Sequence, residues 1–319
     1  MSVQKYSFPG SNPFVQAPMS GITDRAFRTI ARRFHRGLIY TEMISAEALC
    51  RGDRKTLRMA VIDEEHKPCA LQLIGPRPDR LAEAARIAEG LGAEIIDINA
   101  ACPEPKVVKA GAGGALMKDL GKLDKAVRAV VDTAGVPVSV KLRLGYDRDV
   151  SSDALALVAE AGAAYSTFHG RLVSQGFTGK SDWNALKRLA GEARMPFLAN
   201  GDARNEASAV ELLRFTGATG VMLGRATRGR PDLPGAAFDV LEGRPTKRLL
   251  GDALAFTILD HAKLLVEERG EHRGICRMRK HIHWYLASAG AKFEKERVHR
   301  IETVAELERF LDDVEWRNQ

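Results

Sequence analysis

The chain has 319 residues, of which 45 % are hydrophobic and 28 % are charged. This composition is typical of a globular protein and excludes the disordered, collagen-like and disulfide-scaffold classes. The length fits about two domains, or one large α/β barrel with an appendage. The formal net charge of +7 indicates an anionic partner without identifying it.

The cysteines argue against a disulfide framework or a structural zinc site. They form no Cys-x-x-Cys pair and have no histidines at zinc-ligand spacing; they are Cys50, Cys69, Cys102 and Cys276. We therefore expect reduced thiols and no metal. Residues 1–13 lack the apolar stretch of a signal peptide, and no window has the roughly 18 uninterrupted apolar residues of a membrane helix. The sequence predicts a cytoplasmic protein.

Eight short apolar or β-branched runs alternate with helical patterns up to about residue 240. We predict strands over 14–19, 38–43, 69–75, 95–100, 137–145, 165–171, 196–202 and 220–227. Several of these runs are continuously apolar, as strands buried on both faces are. Helices are predicted over 24–34, 80–91, 123–133, 152–161, 182–191 and 206–216. Residues 44–68 show no clean helix, and residues 103–120 are predicted as a long loop.

Eight strand-then-helix units predict a (β/α)8 TIM barrel of the α/β class. An open doubly wound sheet is the alternative, but the turn after the first strand lacks its Gly-rich motif. After residue 243 only helices are predicted, over 250–269, 274–288 and 302–315. We therefore predict a barrel domain, residues 1–243, followed by a small all-α helical domain, residues 247–319.

Polar residues close nearly every predicted strand. They include Ser20, Glu42, Gln72, Asn99, Lys141, His169, Asn200 and Arg225. The carboxyl ends of barrel strands form the active site, so these side chains are expected to converge. The Asn-Gly-Asp and Leu-Gly-Arg sequences at 200–202 and 223–225 follow strands seven and eight, where barrels bind phosphate. Ordinary turn glycines and a surface arginine are the alternative interpretation.

Cys102 is the candidate for acid chemistry because it follows the fourth strand and opens a Gly-rich loop. A thiol with the ordinary pKa of about 8.5 is mostly protonated at neutral pH, which suits a general acid. A nucleophilic role needs a neighbouring base, and His169 would serve if it were adjacent. A buried structural cysteine is the third interpretation.

A strongly basic segment covers residues 272–300. It contains eight Lys and Arg residues and two Glu residues, with Trp284 and Tyr285 interleaved. Clustered cations with aromatic neighbours favour a phosphodiester backbone as the partner. A solvated charged helix with its aromatic residues in a core is the alternative.

Motifs in order along nearly the whole chain resemble those of the bacterial dihydrouridine synthases. The motifs are Ala17-Pro-Met-Ser-Gly-Ile-Thr-Asp24, Thr41-Glu-Met43, Gln72-Leu-Ile-Gly75, Asn99-x-x-Cys102-Pro103-x-x-Lys106-Val107, Lys141-Leu-Arg143-Leu-Gly145, His169-Gly-Arg171, Ala199-Asn-Gly-Asp202 and Leu223-Gly-Arg225. Arg279-Lys-His281 with Trp284-Tyr-Leu286 resembles the helical tail of the B-type branch. Two positions depart from the family pattern, with Ala101 in place of glycine and Leu172 in place of threonine.

The resemblance implies an FMN-dependent oxidoreductase that reduces uridine to 5,6-dihydrouridine in tRNA, with NADPH as the transient reductant of the flavin. The residues that would hold FMN are Pro18, Met19, Ser20, Gln72, Lys141, His169, Asn200, Gly201, Asp202, Gly224 and Arg225. Hydride would pass from flavin N5 to uracil C6, and Cys102 would donate the proton to C5. The residues expected to contact the substrate are Asn99, Arg171, Arg277, Arg279 and Lys280. We expect a monomer with tRNA as its partner.

Two alternatives remain open. One is a TIM-barrel flavin oxidoreductase acting on a small molecule, similar to a dihydroorotate dehydrogenase. The basic segment argues against it, because a small substrate needs no such surface. The other is a non-catalytic RNA-binding protein, which would bind no flavin.

Overall fold

Eight parallel strands in the order β1-β8-β7-β6-β5-β4-β3-β2 surround the centre of the computed structural model, which describes residues 11–246 and 248–316. The strands are β1 (Phe14–Gln16), β2 (Ile39–Ser45), β3 (Cys69–Ile74), β4 (Ile95–Asn99), β5 (Val138–Arg143), β6 (Tyr165–His169), β7 (Phe197–Asn200) and β8 (Gly220–Leu223). One backbone hydrogen bond, from Gln16 N to Leu38 O at 3.3 Å, bridges the remaining gap between β1 and β2. The barrel is therefore nearly closed, and the predicted fold is confirmed.

Helices cover the outside of this barrel. They are α1 (Arg25–Arg32), α2 (Ala46–Cys50), α3 (Arg54–Ala60), α4 (Pro78–Gly90), α5 (Pro105–Lys109), α6 (Leu120–Val131), α7 (Ser151–Glu160), α8 (Trp183–Glu192), α9 (Glu206–Thr216) and α10 (Leu233–Leu241). Side chains such as Ile96, Ile98 and Leu142 fill the layer between strands and helices. Val15 and Met222 belong to a separate, smaller core cluster. The two clusters explain why the strand sequences are apolar on both faces.

The structure corrects three predictions about local elements. Residues 44–68 hold α2, α3 and a 3-10 turn, residues 103–120 hold α5 and a 3-10 helix, and α10 was not predicted at all. Helices of five to seven residues make fewer than two turns, so their sequences carry little periodicity. The first and last strands also end earlier than predicted, at Gln16 and Leu223. Beyond these two residues the chain leaves the sheet and enters the loops at its carboxyl edge.

Up to residue 316, where the described chain ends, four further helices follow the barrel: α11 (Gly251–Arg269), α12 (Glu271–Ala289), α13 (Lys295–Arg300) and α14 (Val304–Asp312). Ile258, Ile282 and Leu311 lie in a core of their own, which Ala26 of α1 also joins. This region therefore rests on the first barrel helix. The proposed domain limits, 1–243 and 247–319, stay a prediction, and Lys247 and residues 317–319 lie outside the described residues. Within the described ranges, no helix has the length and apolarity needed to cross a bilayer.

Candidate active site

A cavity of about 680 Å³ opens among the residues that follow the strands. This volume lies within the range of about 300–1,000 Å³ that is usual for ligand pockets. Every residue predicted to hold FMN lines the cavity, and so do Cys102 and Asn99. The convergence expected from the strand ends is therefore seen for all of these residues except Glu42, which does not line the cavity and instead contacts Arg277. Their roles toward a cofactor or substrate stay predictions.

The turn that carries Cys102 is held by the side chain of Asn99. Asn99 Oδ1 accepts hydrogen bonds from the backbone N–H groups of Ala101, at 3.1 Å, and Cys102, at 2.9 Å. Ala101 replaces the glycine of the family pattern without strain, because Asp202 is the one non-glycine residue with a left-handed φ in the described part of the chain. The amide of Asn99 thus orients the thiol-bearing backbone.

The Cys102 thiol is free and half-buried. Burial raises its pKa above the ordinary value, and the nearby Glu104 carboxylate raises it further. A backbone hydrogen bond at Glu104 opposes this shift. The thiol is therefore protonated at neutral pH, which suits a proton donor and disfavours a nucleophile.

A chain of buried polar groups runs beneath this turn. Ser139 Oγ and Gln72 Nε2 each donate to the Asp97 carboxylate at 2.6 Å, and Asn99 Nδ2 donates to Gln72 Oε1 at 2.8 Å. Burial raises the pKa of Asp97 to about 6, while its two hydrogen bonds act in the opposite direction. An amide nitrogen carries two N–H donors, and the hydrogen bond to Asp97 uses one of those of Gln72. Asp97 was missed, although an acid inside the apolar run Ile-Ile-Asp-Ile was a usable signal.

Lys141 supplies a buried positive charge to the cavity. Its Nζ donates to Asn200 Oδ1 at 3.2 Å, and Asn200 Nδ2 in turn donates to the Met222 carbonyl at 2.7 Å. Burial, and then the neighbouring Arg143 guanidinium, lower the pKa of Lys141 to about 8. The ammonium is thus charged at neutral pH and is weakly hydrated, which makes it effective at stabilising an anion.

His169 is held as a neutral imidazole. Burial, and then the charges of Lys141 and Arg143, lower its pKa well below the ordinary value. Its Nε2 lies 3.0 Å from Arg171 Nη1, and an arginine can only donate, so Nε2 accepts and Nδ1 carries the proton. Such a histidine offers a neutral N–H donor rather than a second cation.

Arg171 lies behind His169 and does not line the cavity. The guanidinium is buried and donates to both Asp202 carboxylate oxygens at 2.8 Å and to the carbonyls of Thr178, at 3.0 Å, and Gly179, at 2.8 Å. These bonds tie the loop after β6 to the end of β7. Its predicted substrate contact stays a prediction.

The Asn-Gly-Asp turn forms a tight cradle at one side of the cavity. Gly201 has φ +130°, and a Cβ there would lie 2.3 Å from Ser181 Oγ and 2.9 Å from His169 Cδ2. The buried Ser181 hydroxyl has no hydrogen-bond partner among the residues that the structure describes. Of the described residues, Ala17 alone lies within 4 Å of a Cβ added at Gly224, at 3.8 Å, which leaves open space there. Three arginines that follow β7 and β8 in the sequence also line the cavity: Arg204, Arg225 and Arg228. Glycine-rich backbone beside cations fits a phosphate-bearing cofactor.

Arg143 and Phe177 also line the cavity, and neither received a role from the sequence. Arg143 is buried and donates to the carbonyls of Ala101, at 2.9 Å, Leu172, at 2.8 Å, and Gly176, at 2.7 Å. It therefore joins the turn that carries Cys102 to the loop after β6. Phe177 is 60 % exposed, and the guanidinium groups of Arg143 and Arg225 lie 5.6 and 5.7 Å from its ring centroid. The sequence signal that could have found Phe177 is an aromatic residue between the glycines at 176 and 179.

The three cations of α12 that were predicted to contact substrate do not line the cavity. Arg277 contacts the carboxylates of Asp24 and Glu42 at 3.2 and 3.4 Å. Arg279 donates twice to the Ile301 carbonyl, at 3.0 and 2.8 Å. Lys280 donates to a backbone carbonyl of the loop after β1. Their role as substrate contacts stays a prediction.

Comparison with known proteins identifies the family. The model of the dihydrouridine synthase family matches residues 15–317. A probable tRNA-dihydrouridine synthase of Rickettsia conorii is 37 % identical over 86 % of this chain and 84 % of its own length. A tRNA-dihydrouridine synthase B of Xanthomonas axonopodis is 37 % identical over 85 % of this chain and 82 % of its own length.

Solved structures show the same barrel at much lower identity. A variant of NCR from Zymomonas mobilis is 18 % identical, with a TM-score of 0.53 over 76 % of this chain and 90 % of its own. A morphinone reductase mutant is 14 % identical, with a TM-score of 0.52 over the same shares. With the family model matching nearly the whole chain, the resemblance read from the motifs is confirmed. The chain belongs to the dihydrouridine synthase family.

Proposed function

We propose that this chain reduces uridine to 5,6-dihydrouridine in tRNA, with FMN as the bound cofactor and NADPH as the reductant. The family and the names of the relatives support the reaction. The observation that carries the proposal is that a protonated thiol, Cys102, and a buried ammonium, Lys141, line one cavity at the strand ends. That pair combines a proton donor with a stabiliser of negative charge.

The residues that would hold FMN are Pro18, Met19, Ser20, Gln72, Lys141, His169, Asn200, Gly201, Asp202, Gly224 and Arg225. The cradle at Gly201, the open space at Gly224 and the adjacent Arg225 suit the phosphate, and the N–H groups of Gln72 and His169 suit the polar edges of the ring. When bound and reduced, FMN supplies the hydride that saturates the C5–C6 double bond of uracil at C6. Lys141 would stabilise negative charge in the cavity.

Cys102 would complete the reduction by donating its proton to C5. The C5–C6 bond of uracil is conjugated to the C4 carbonyl, so addition at C6 leaves carbanion character at C5. The raised pKa of Cys102 keeps the proton on sulfur until negative charge develops at C5. Asn99 would place this thiol by fixing its backbone.

The substrate base must leave the stacked RNA to enter a cavity of this kind. We propose that the basic segment of α12 and α13 contacts the phosphates, with exposed side chains such as Arg273, Lys295 and Arg300 available. Arg277, Arg279 and Lys280 stay predicted contacts. A cytoplasmic monomer is also part of the proposal.

The test uses the purified full chain. We expect a flavin absorption band, release of FMN on denaturation, bleaching of the band by NADPH, and dihydrouridine in an unmodified tRNA transcript after turnover. Binding of tRNA should weaken steeply with salt, whereas a flat response would favour the small-molecule alternative. A colourless protein that leaves the transcript unchanged would contradict the proposal.

A further inference from the structure

Gly21 lies in the loop after β1. Both its backbone N–H and its carbonyl form hydrogen bonds with side chains outside this loop. Its N–H donates to Glu42 Oε1, and its carbonyl accepts from Lys280 Nζ of α12. Gly21 has φ +75°, and an added Cβ would lie 3.3 Å from Lys280 Nζ and 3.4 Å from Arg277 Nη1. Two cations of α12 therefore lie directly against this one residue.

Arg277 anchors the same contact through two buried carboxylates. It contacts Asp24, whose side chain also caps α1 through Phe27 N at 3.1 Å, and it contacts Glu42 in β2. Asp24 and Glu42 are each only 4 % exposed, and Arg277 contacts both of them, while Arg269 lies 4.0 Å from Asp24 as well. Arg277 and Lys280 are three positions apart and therefore share one helix face.

The three residues that precede Gly21 in the same loop form part of the cavity wall. Pro18, Met19 and Ser20 line the cavity. The Met19 carbonyl accepts from the N–H groups of Ile22, at 3.0 Å, and Thr23, at 3.1 Å, and Met19 N donates to Thr23 Oγ1 at 3.1 Å. These hydrogen bonds hold the loop in one conformation. A shift of the Gly21 backbone would therefore also move Pro18, Met19 and Ser20, which line the cavity.

We propose that Arg277 and Lys280 are positioning residues that hold the loop of residues 18–21 in its flavin-binding conformation. The helical region thereby contributes to cofactor binding, although the described residues lining the cavity include none from α11–α14. This inference rests on the proposed flavin site. It gives Arg277 and Lys280, which are half-buried, partners within the protein, and so a role other than the predicted contact with RNA phosphates.

The test measures FMN binding in the absence of tRNA. Apoprotein is titrated with FMN, and the dissociation constant is read from quenching of flavin fluorescence. Lys280→Met keeps the aliphatic stem and removes the bond to Gly21, and we expect it to raise the dissociation constant about tenfold. Arg277→Lys keeps the charge but cannot contact both carboxylates, and a smaller rise is expected.

Two variants of the same helix serve as controls. Arg273→Met removes an exposed charge, and Arg279→Met removes the bonds to the Ile301 carbonyl, which face away from the loop. Neither should change the dissociation constant, even where Arg279→Met lowers the unfolding temperature. The visible circular dichroism of flavin bound at saturation should change in Lys280→Met and not in the controls.

The outcomes separate the two proposals. Wild-type FMN affinity in Lys280→Met and Arg277→Lys, with or without weaker tRNA binding, would overturn the positioning role alone. A rise of equal size in Arg279→Met would also overturn it, because the effect would then be general destabilisation. A wild-type chain that binds no FMN would overturn the proposed function and this inference with it.

Discussion

Asn99 fixes the backbone of Cys102, because its side-chain oxygen accepts the Cys102 N–H at 2.9 Å. The same amide donates to Gln72 Oε1 at 2.8 Å and so joins the thiol-bearing turn to the buried chain that ends at Asp97 and Ser139. The proton donor and the polar floor of the barrel are therefore one hydrogen-bonded unit. A substitution in the buried polar chain should therefore also alter the position of the Cys102 thiol.

Cys102→Ala should keep bound flavin and lose most turnover. Removing a positioned general acid costs about 100- to 10,000-fold in rate, while no bond to the cofactor loop is lost. The measurement is single-turnover oxidation of reduced enzyme by tRNA. Cys276→Ala, at an exposed position of α12, is the control and should behave as wild type. Undiminished turnover in Cys102→Ala would rule out the acid role.

Asn99→Ala should reduce turnover and stability together. It leaves the Cys102 N–H and Gln72 Oε1 without partners, and we expect a loss of about 1–3 kcal/mol in the free energy of unfolding. Thr303→Ala removes the cap of α14, a helix from which no described residue lines the cavity, and should cost about 1 kcal/mol without affecting turnover. Denaturant unfolding and steady-state kinetics check both. Equal turnover in the two variants would contradict the orienting role of Asn99.

FMN affinity should fall as the pH rises through about 8. Burial lowers the pKa of Lys141 to about 8, so its charge is present below that pH and lost above it. Because this pKa lies below the ordinary value, the buried charge lowers the stability of the fold below pH 8, and the cost is relieved as the pH rises further. Burial raises the pKa of the Cys102 thiol, so this thiol stays protonated to a higher pH than an exposed cysteine does.

Lys141→Met is the matched variant for this pH profile. It should bind FMN more weakly at neutral pH, and its affinity should lack the step near pH 8. Fluorescence titrations at several pH values check this. A step of unchanged size in Lys141→Met would show that another group is titrating.

Gly201→Ala should destabilise the fold and weaken FMN binding. The new Cβ would lie 2.3 Å from Ser181 Oγ, and φ +130° is strained for any L side chain. We expect a cost of about 1–3 kcal/mol, measured by thermal unfolding. Gly191→Ala, in α8 with nothing within 4 Å of the added Cβ, is the control and should be neutral or stabilising. A neutral Gly201→Ala would show that the cradle is not as tight as the structure indicates.

The strands and their polar ends could be predicted because each signal is local. A buried strand is a continuous apolar run, and a polar residue at its end needs no knowledge of the rest of the chain. For this reason Gln72, Lys141 and His169 were found, and the structure places all three at one cavity. The short helices α2, α3 and α5 were missed because they make too few turns to show a period.

Contacts between distant parts of the chain could not be predicted in this way. Arg277 and Lys280 have the local pattern of an exposed basic helix face, but their partners Asp24 and Gly21 lie some 250 positions earlier. Nothing near either cation in the sequence indicates a buried carboxylate. The bond from Arg171 to Asp202 has the same origin, because it depends on neighbouring strands rather than on neighbouring residues.

The most direct test of the central claim is to map dihydrouridine in tRNA from cells that lack this protein, with ribosomal RNA as a control. We expect the modification to be lost at one or more tRNA positions, to return with the wild-type chain, and to stay absent with Cys102→Ala. An unchanged dihydrouridine map in the tRNA of cells without the protein would contradict the account.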